Sequence, residues 1–121
     1  MKRNLELVRR ILLEVEESGG KSPLNGKQLA ELTGSDERTV NYHLKLLVEA
    51  RWVESRGKPH YSSRTSDAVP DMVLVSSLTA EGHRFIEAVG EPSRWKKFLA
   101  RAGEKIFEAT LTMVLQSATR G

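Results

Sequence analysis

The stretch from Asn25 to Val48 constrains the fold of this chain more than any other, because it reads as two helices set end to end around a glycine. The first runs from about Gly26 to Leu32, with Asn25 as its cap and Leu29, Ala30 and Leu32 as its buried side. Thr33-Gly34 ends it, since glycine takes the left-handed conformation that a helix C-terminus needs. Ser35 is placed to cap the next helix, with Asp36 and Glu37 in a first turn where the helix dipole favours negative charge. Val40, Leu44, Leu47 and Val48 recur at helical spacing and give that helix one apolar stripe. Two helices joined by a short turn containing glycine form a helix-turn-helix unit.

In such a unit the second helix enters the major groove of duplex DNA. Opposite its apolar stripe fall Arg38, Tyr42, Lys45 and Glu49, flanked by Thr39 and Asn41. Arg38 and Lys45 suit guanine or phosphate, Asn41 suits adenine through paired hydrogen bonds, and Tyr42 suits a thymine methyl or a phosphate. Arg38, Thr39, Asn41, Tyr42 and Lys45 are therefore the candidate contacts of this helix. The competing reading is a solvated helix face, and the local charge favours it: Asp36, Glu37 and Glu49 outnumber Arg38 and Lys45.

The chain on either side completes a small domain. Asn4 to Glu17 predicts a first helix, with Leu5, Val8, Leu12 and Val15 as a stripe widened by Leu7 and Ile11, and Ser18-Gly19-Gly20 as its stop. Pro23 and Asn25-Gly26 punctuate a loop. After Ala50 the pattern turns to strand: Trp52 to Ser55 has strand character and Met72 to Val75 is an apolar run, the two separated by Arg56-Gly57-Lys58-Pro59-His60 and a polar segment from Tyr61 to Val69. Trp52 to Leu78 thus reads as a β-hairpin with a long tip. Thr79 caps a further helix to about Val89, with Phe85, Ile86 and Val89 inward, and Gly90 and Pro92 close it. Ser93 starts a short helix carrying Trp95, Phe98, Leu99 and Ala102. A last helix from Glu104 to about Ala118 has an apolar face too broad for a solvent-facing tail.

A chain of 121 residues is long enough to bury a real core in one compact domain. The expected organisation is a helix-turn-helix domain over residues 1–90 and a helical extension over 91–121. The absence of cysteine excludes disulfides and thiolate metal sites, and no apolar run has the length of a membrane span or the layout of a signal peptide, so a cytoplasmic protein is expected. A net charge of +3 permits nucleic-acid binding without demanding it.

Leu29-Ala30-x-Leu32-Thr33-Gly34-Ser35, Thr39-Val40-x-x-His43-Leu44-x-x-Leu47 and Ala50-x-Trp52-Val53 together resemble the winged helix-turn-helix of ArsR- and MarR-like bacterial regulators. Met1-Lys2-Arg3-Asn4, Leu7 to Leu12, Tyr42 to Leu47, Leu78-Thr79-x-Glu81-Gly82-His83-x-Phe85, Trp95 and the C-terminal amphipathic helix resemble an uncharacterised winged-helix family of phage and prophage genomes. The resemblance implies a mainly α fold with a small β-hairpin, a winged helix-turn-helix with extra C-terminal helices. Two positions depart from it. Arg51 stands where such proteins usually have glycine, and Ala80 where a large aromatic is more frequent.

A hairpin after a helix-turn-helix is a wing, and Arg56, Lys58, His60 and Arg64 would lie along the DNA backbone or in the minor groove. The basic residues Arg94, Lys96, Lys97, Arg101 and Lys105 fit the polar side of an amphipathic helix instead. No metal-ligand spacing, phosphate loop or nucleophile elbow is present, so neither a metal, a cofactor nor an enzymatic activity is expected. His43 reads as a packing or phosphate-facing residue, and Glu81 and His83 do not share a helix face. Phe107, Leu111, Val114 and Leu115 on the last helix are the expected homodimer interface. The expectation is thus a dimeric, sequence-specific duplex DNA-binding regulator. The alternative is a winged helix without DNA binding that docks a phage or host protein.

Overall fold

A computed structural model of the chain describes residues 4–61 and 69–102. Among the described residues the order of elements is α1 (Leu5–Ser18), β1 (Leu24–Asn25), α2 (Gly26–Thr33), α3 (Glu37–Glu49), β2 (Val53–Ser55), β3 (Leu74–Leu78), α4 (Ala80–Val89) and α5 (Pro92–Ala102). The chain is mainly α, with a small three-stranded antiparallel sheet in the order β1-β3-β2. The helix expected from Glu104, with Phe107, Leu111, Val114 and Leu115, lies outside the described residues, as does Arg64.

Local sequence sets most helix ends. Asn4 caps α1 by accepting from the Leu7 amide, and Gly19 closes it at φ 62°. Asn25 and Gln28 form a reciprocal capping box at the start of α2. Within α2 the buried positions are Gly26, Leu29, Ala30 and Thr33. That spacing corrects the sequence expectation for Leu32, which is 50% exposed. The inward place belongs to Thr33, whose hydroxyl donates to the Leu29 carbonyl and so needs no outside partner.

The turn between α2 and α3 also differs in detail from expectation. Gly34 adopts φ 73°, and the amides of Gly34 and Ser35 both donate to the Ala30 carbonyl. Ser35 is thereby used in closing α2. The cap of α3 passes to Asp36, which sits in extended backbone and accepts from the Thr39 amide at 2.9 Å.

β3 is the central strand. It pairs with β1 through Leu24↔Val75 and Asn25↔Leu74, and with β2 through Val53↔Leu78 and Glu54↔Ser77. The register shifts between Glu54 and Ser55, a bulge that increases the twist of the hairpin. Pairing resumes at a bridge between His60 and Met72, so the hairpin extends beyond the Arg56–His60 stretch. By sequence β1 reads as loop; its two residues are strand only because β3 lies beside them.

One core joins the described helices. Ile11 and Leu12 of α1, Leu29 of α2, Val40, Leu44 and Leu47 of α3, Val75 of β3 and Phe85 of α4 are fully or almost fully buried. At the junction of hairpin and helices, Trp52 packs on Phe85 with ring centroids 4.6 Å apart. α4 is held against this point by its own cap: the Thr79 amide donates to the Trp52 carbonyl, and the Thr79 hydroxyl donates to the Arg51 carbonyl. Gly82, one turn into α4, lies so close to the Trp52 carbonyl that a methyl group there would overlap it.

Arg51 completes the turn from α3 into β2 at φ 61°, the only non-glycine residue in the left-handed region among the described residues. The backbone thus keeps the conformation glycine would supply, and the arginine side chain carries the strain. Arg51→Gly is expected to raise stability by about 1 kcal/mol, after offsetting the greater freedom of glycine in the unfolded chain. Urea unfolding followed by circular dichroism would register this as a higher midpoint with an unchanged slope.

α5 begins at Pro92, a residue suited to the first helical turn because it has no amide proton to leave unpaired. Pro92 therefore opens α5 as well as closing off α4, and Ser93 lies inside the helix. Trp95 is buried with the main core. Its indole donates to the Glu6 carboxylate, and the Arg9 guanidinium lies 5.3 Å from its ring. Arg9 also donates to the Val89 and Gly90 carbonyls, capping the end of α4 from α1. This one arginine ties α1, α4 and α5 together. No helix among the described residues is long and apolar enough to cross a membrane.

Candidate nucleic-acid interface

α3 presents a strip formed by Arg38, Tyr42, Lys45 and Glu49, while Val40, His43, Leu44 and Leu47 face the core. Arg38 and Glu49 are exposed; Tyr42 and Lys45 are partly covered. Lys45 Nζ lies 4.0 Å from Glu49 Oε1, an exposed i,i+4 pair of small energetic weight. The Tyr42 ring stands edge-on to the His43 imidazole with centroids 5.3 Å apart, which steadies its direction.

Of the acidic residues of the segment, Glu49 lies on this strip, whereas Asp36 and Glu37 stand at the start of the helix. Asp36 is engaged with Thr39, accepting from its amide and, at 2.6 Å, from its hydroxyl. The Thr39 hydroxyl and amide, in that order, hold the Asp36 carboxyl below the ordinary aspartate value of 3.8. The outer strip itself therefore carries two cations and one anion, a better balance for DNA than the whole segment suggested.

Asn41 requires a correction. The sequence places it among the base-reading side chains, but it is 3% exposed. Its Nδ2 donates to the Asp71 carbonyl at 3.0 Å, joining α3 to the returning arm of the hairpin three residues before β3. Its Oδ1 lies against Gly26 and has no hydrogen-bond partner among the described residues. The cause is helix phase: Asn41 follows Val40 on the side where α2 and the hairpin close over α3.

This contact gives a sharp stability test. A methyl group on Gly26 would overlap Asn41 Oδ1. Relieving the overlap turns the amide away from Asp71 inside a buried site, so Gly26→Ala is expected to cost about 2 kcal/mol. In an Asn41→Ala background the same substitution should cost well under about 1 kcal/mol, because the obstruction has gone. A double-mutant cycle by urea unfolding checks this.

His43, also read as a residue of packing or phosphate contact, is fully buried. Its Nδ1 is 2.7 Å from the Thr39 carbonyl, to which it donates, and its Nε2 accepts from the Asn4 amide at 2.8 Å. The imidazole links the cap of α1 to α3 and serves packing.

The hairpin supplies the second surface. Arg56, Lys58 and His60 are exposed, with Gly57 at φ 75° shaping the turn between them. Arg56 is anchored through its backbone amide to the Leu74 carbonyl, and His60 exchanges backbone hydrogen bonds with Met72. The side chain of Arg56 thus projects from a held backbone, and that of Lys58 from the turn beyond it.

Residues 2–108 match the family described as "Hypothetical protein (DUF2513)". The chain belongs to the DUF2513 family. It is also 32% identical over 120 residues to an "Uncharacterized protein" of Haemophilus influenzae, a match spanning 98% of this chain and 92% of that relative. The DUF2513 match takes in α3, the hairpin, Arg9 and Trp95, so both candidate surfaces lie within the shared region.

Two contacts of this DUF2513 chain have no signature in its sequence, the Asn41–Asp71 bond and the clamp of Arg9 on α4. Each joins residues far apart in the chain, and no local pattern signals either. Among the described residues no group of three or more histidine, aspartate or glutamate side chains could hold a metal ion.

Proposed function

We propose that this DUF2513 chain is a winged helix-turn-helix protein that binds duplex DNA as a regulator. Supporting the winged-helix reading are the element order α1-β1-α2-α3-β2-β3 and the sheet order β1-β3-β2, in which β3 returns beside the strand preceding α2. The observation that carries the DNA reading is the bond from Asn41 to Asp71. It ties the hairpin bearing Arg56 and Lys58 to the flank of the helix bearing Arg38 and Lys45. Positive side chains on two joined elements suit a phosphate backbone on either side of a groove.

In this reading α3 enters the major groove and the wing follows the backbone. The resemblance seen in the sequence adds a phage or prophage setting and a dimer formed through residues 91–121, and the reading includes no catalytic step. Mobility shift with random and genomic duplexes across a salt series tests it. Retardation at low salt that weakens steeply as salt rises is the expected result. No retardation at low salt would overturn it.

The second reading, a protein-docking module, is favoured by Tyr61 and Met72, large apolar side chains exposed on the hairpin at 44% and 53%. Binding to a protein partner through these residues would tolerate salt, and would be lost in Tyr61→Ser with Met72→Ser.

A further inference from the structure

We infer that Asn25 is a site of spontaneous deamidation, gated by the capping box at the start of α2. The sequence supplies the chemistry. In this reaction the backbone nitrogen of the following residue gives its proton to hydroxide and attacks the side-chain carbonyl carbon of asparagine. The new N–C bond forms as the bond from that carbon to the side-chain nitrogen breaks, and the nitrogen takes a proton from water and leaves as ammonia. Water then opens the cyclic imide at one of its two carbonyls. A Cβ on the following residue hinders the attack, so a glycine there favours it. Of the three asparagines, Asn4 precedes Leu5, Asn41 precedes Tyr42, and Asn25 alone precedes a glycine.

The fold supplies the gate. Ring closure needs the Asn25 side chain and the Gly26 nitrogen close to one plane, and at ψ 172° the Asn25 Cβ is turned well out of it. The capping box holds this conformation: Asn25 Oδ1 accepts from the Gln28 amide at 2.8 Å, and the Asn25 amide donates to Gln28 Oε1 at 2.9 Å. On the strand side Asn25 pairs with Leu74. Turning ψ at Asn25 also moves Gly26, which is buried against Asn41 Oδ1. The reaction therefore waits for the first turn of α2 to open. That opening is local, because both bonds of the box are exposed and β1 has only two residues.

The two products differ in what they do to the fold. Opening of the imide at the side-chain carbonyl gives aspartate, a good cap whose charge suits a helix start. Opening at the main-chain carbonyl gives isoaspartate, which adds a carbon to the backbone between residue 25 and Gly26. The pairing with Leu74 and the seat of Gly26 against Asn41 are then out of step, and α2 loosens from α3.

Incubation of the full chain at mildly alkaline pH tests the inference. Trypsin cuts after Lys21 and Lys27, and peptide 22–27 is followed by mass and by isoaspartate content. Conversion at Asn25 is expected in the folded chain, at least about tenfold slower than in the chain unfolded by urea. Gln28→Ala removes one arm of the box at an exposed position and should speed conversion of the folded chain by about three- to tenfold, with its rate in urea unchanged. Circular dichroism establishes that this variant is folded. Equal rates in the folded and unfolded chain, or no acceleration in folded Gln28→Ala, would overturn the gate. Conversion seen only in urea, or none at Asn25 at all, would overturn the inference as a whole.

Discussion

Gly82→Ala is expected to lower stability by about 3 kcal/mol, although alanine is the better helix former by about 1 kcal/mol. The added methyl group meets the Trp52 carbonyl, and backbone cannot swing aside as a side chain can. α4 must instead move off β2. That movement stretches the hydrogen bonds from Thr79 to the Trp52 and Arg51 carbonyls and parts Phe85 from Trp52. For a chain of this length the thermal midpoint should fall by roughly 10 °C. Scanning calorimetry would show it, and an unchanged or higher midpoint would mean that α4 and β2 are not in this close approach.

The second large effect follows from the proposed DNA binding. Arg56→Ala combined with Lys58→Ala should weaken binding to specific and random duplex alike, because both side chains are exposed on the hairpin and suited to phosphate. Removing two phosphate contacts should reduce the slope of log affinity against log salt by about 2. At moderate salt the loss should reach roughly a hundredfold. The thermal midpoint should stay close to that of the unsubstituted chain, since both residues are held through backbone amides or project into solvent. Equal salt slopes for the variant and the unsubstituted chain would remove the hairpin from the proposed interface.

Much of the architecture was legible because it is local. Thr79 as a cap, followed by Phe85, Ile86 and Val89 at helical spacing, specifies α4 almost to the residue. The same holds for Asn25 and α2, where a reciprocal cap and a glycine stop lie within one short segment. Misreadings arose where two local signals competed or where the deciding partner was distant. Ser35 and Asp36 are both good caps, and the choice went to Asp36 because the Ser35 amide closes the preceding helix. Leu32 and Thr33 are adjacent, and helical phase outweighed hydrophobicity in deciding which faces in. β1 exists through pairing with Leu74 and Val75, far along the chain.

The candidate surface was less legible than the fold. Arg38, Tyr42 and Lys45 share the outer strip as their spacing implies, whereas Asn41 lies within a single step of that strip and is buried. A helical wheel gives the angle of a side chain. It does not give the width of the neighbour that covers it, and here the cover is the returning arm of the hairpin at Asp71.

The bond between Asn41 and Asp71 has a mechanical consequence. Because the returning arm of the hairpin is fastened to the middle of α3, the angle between helix and hairpin is set before any partner arrives. For a partner of the kind proposed, helix and hairpin would act as two prongs already aligned, at little cost in entropy. The same stiffness makes the spacing between the prongs a fixed ruler. A change at Gly26 or Asn41, neither of which faces outward, would alter the length of that ruler while leaving every exposed charge in place.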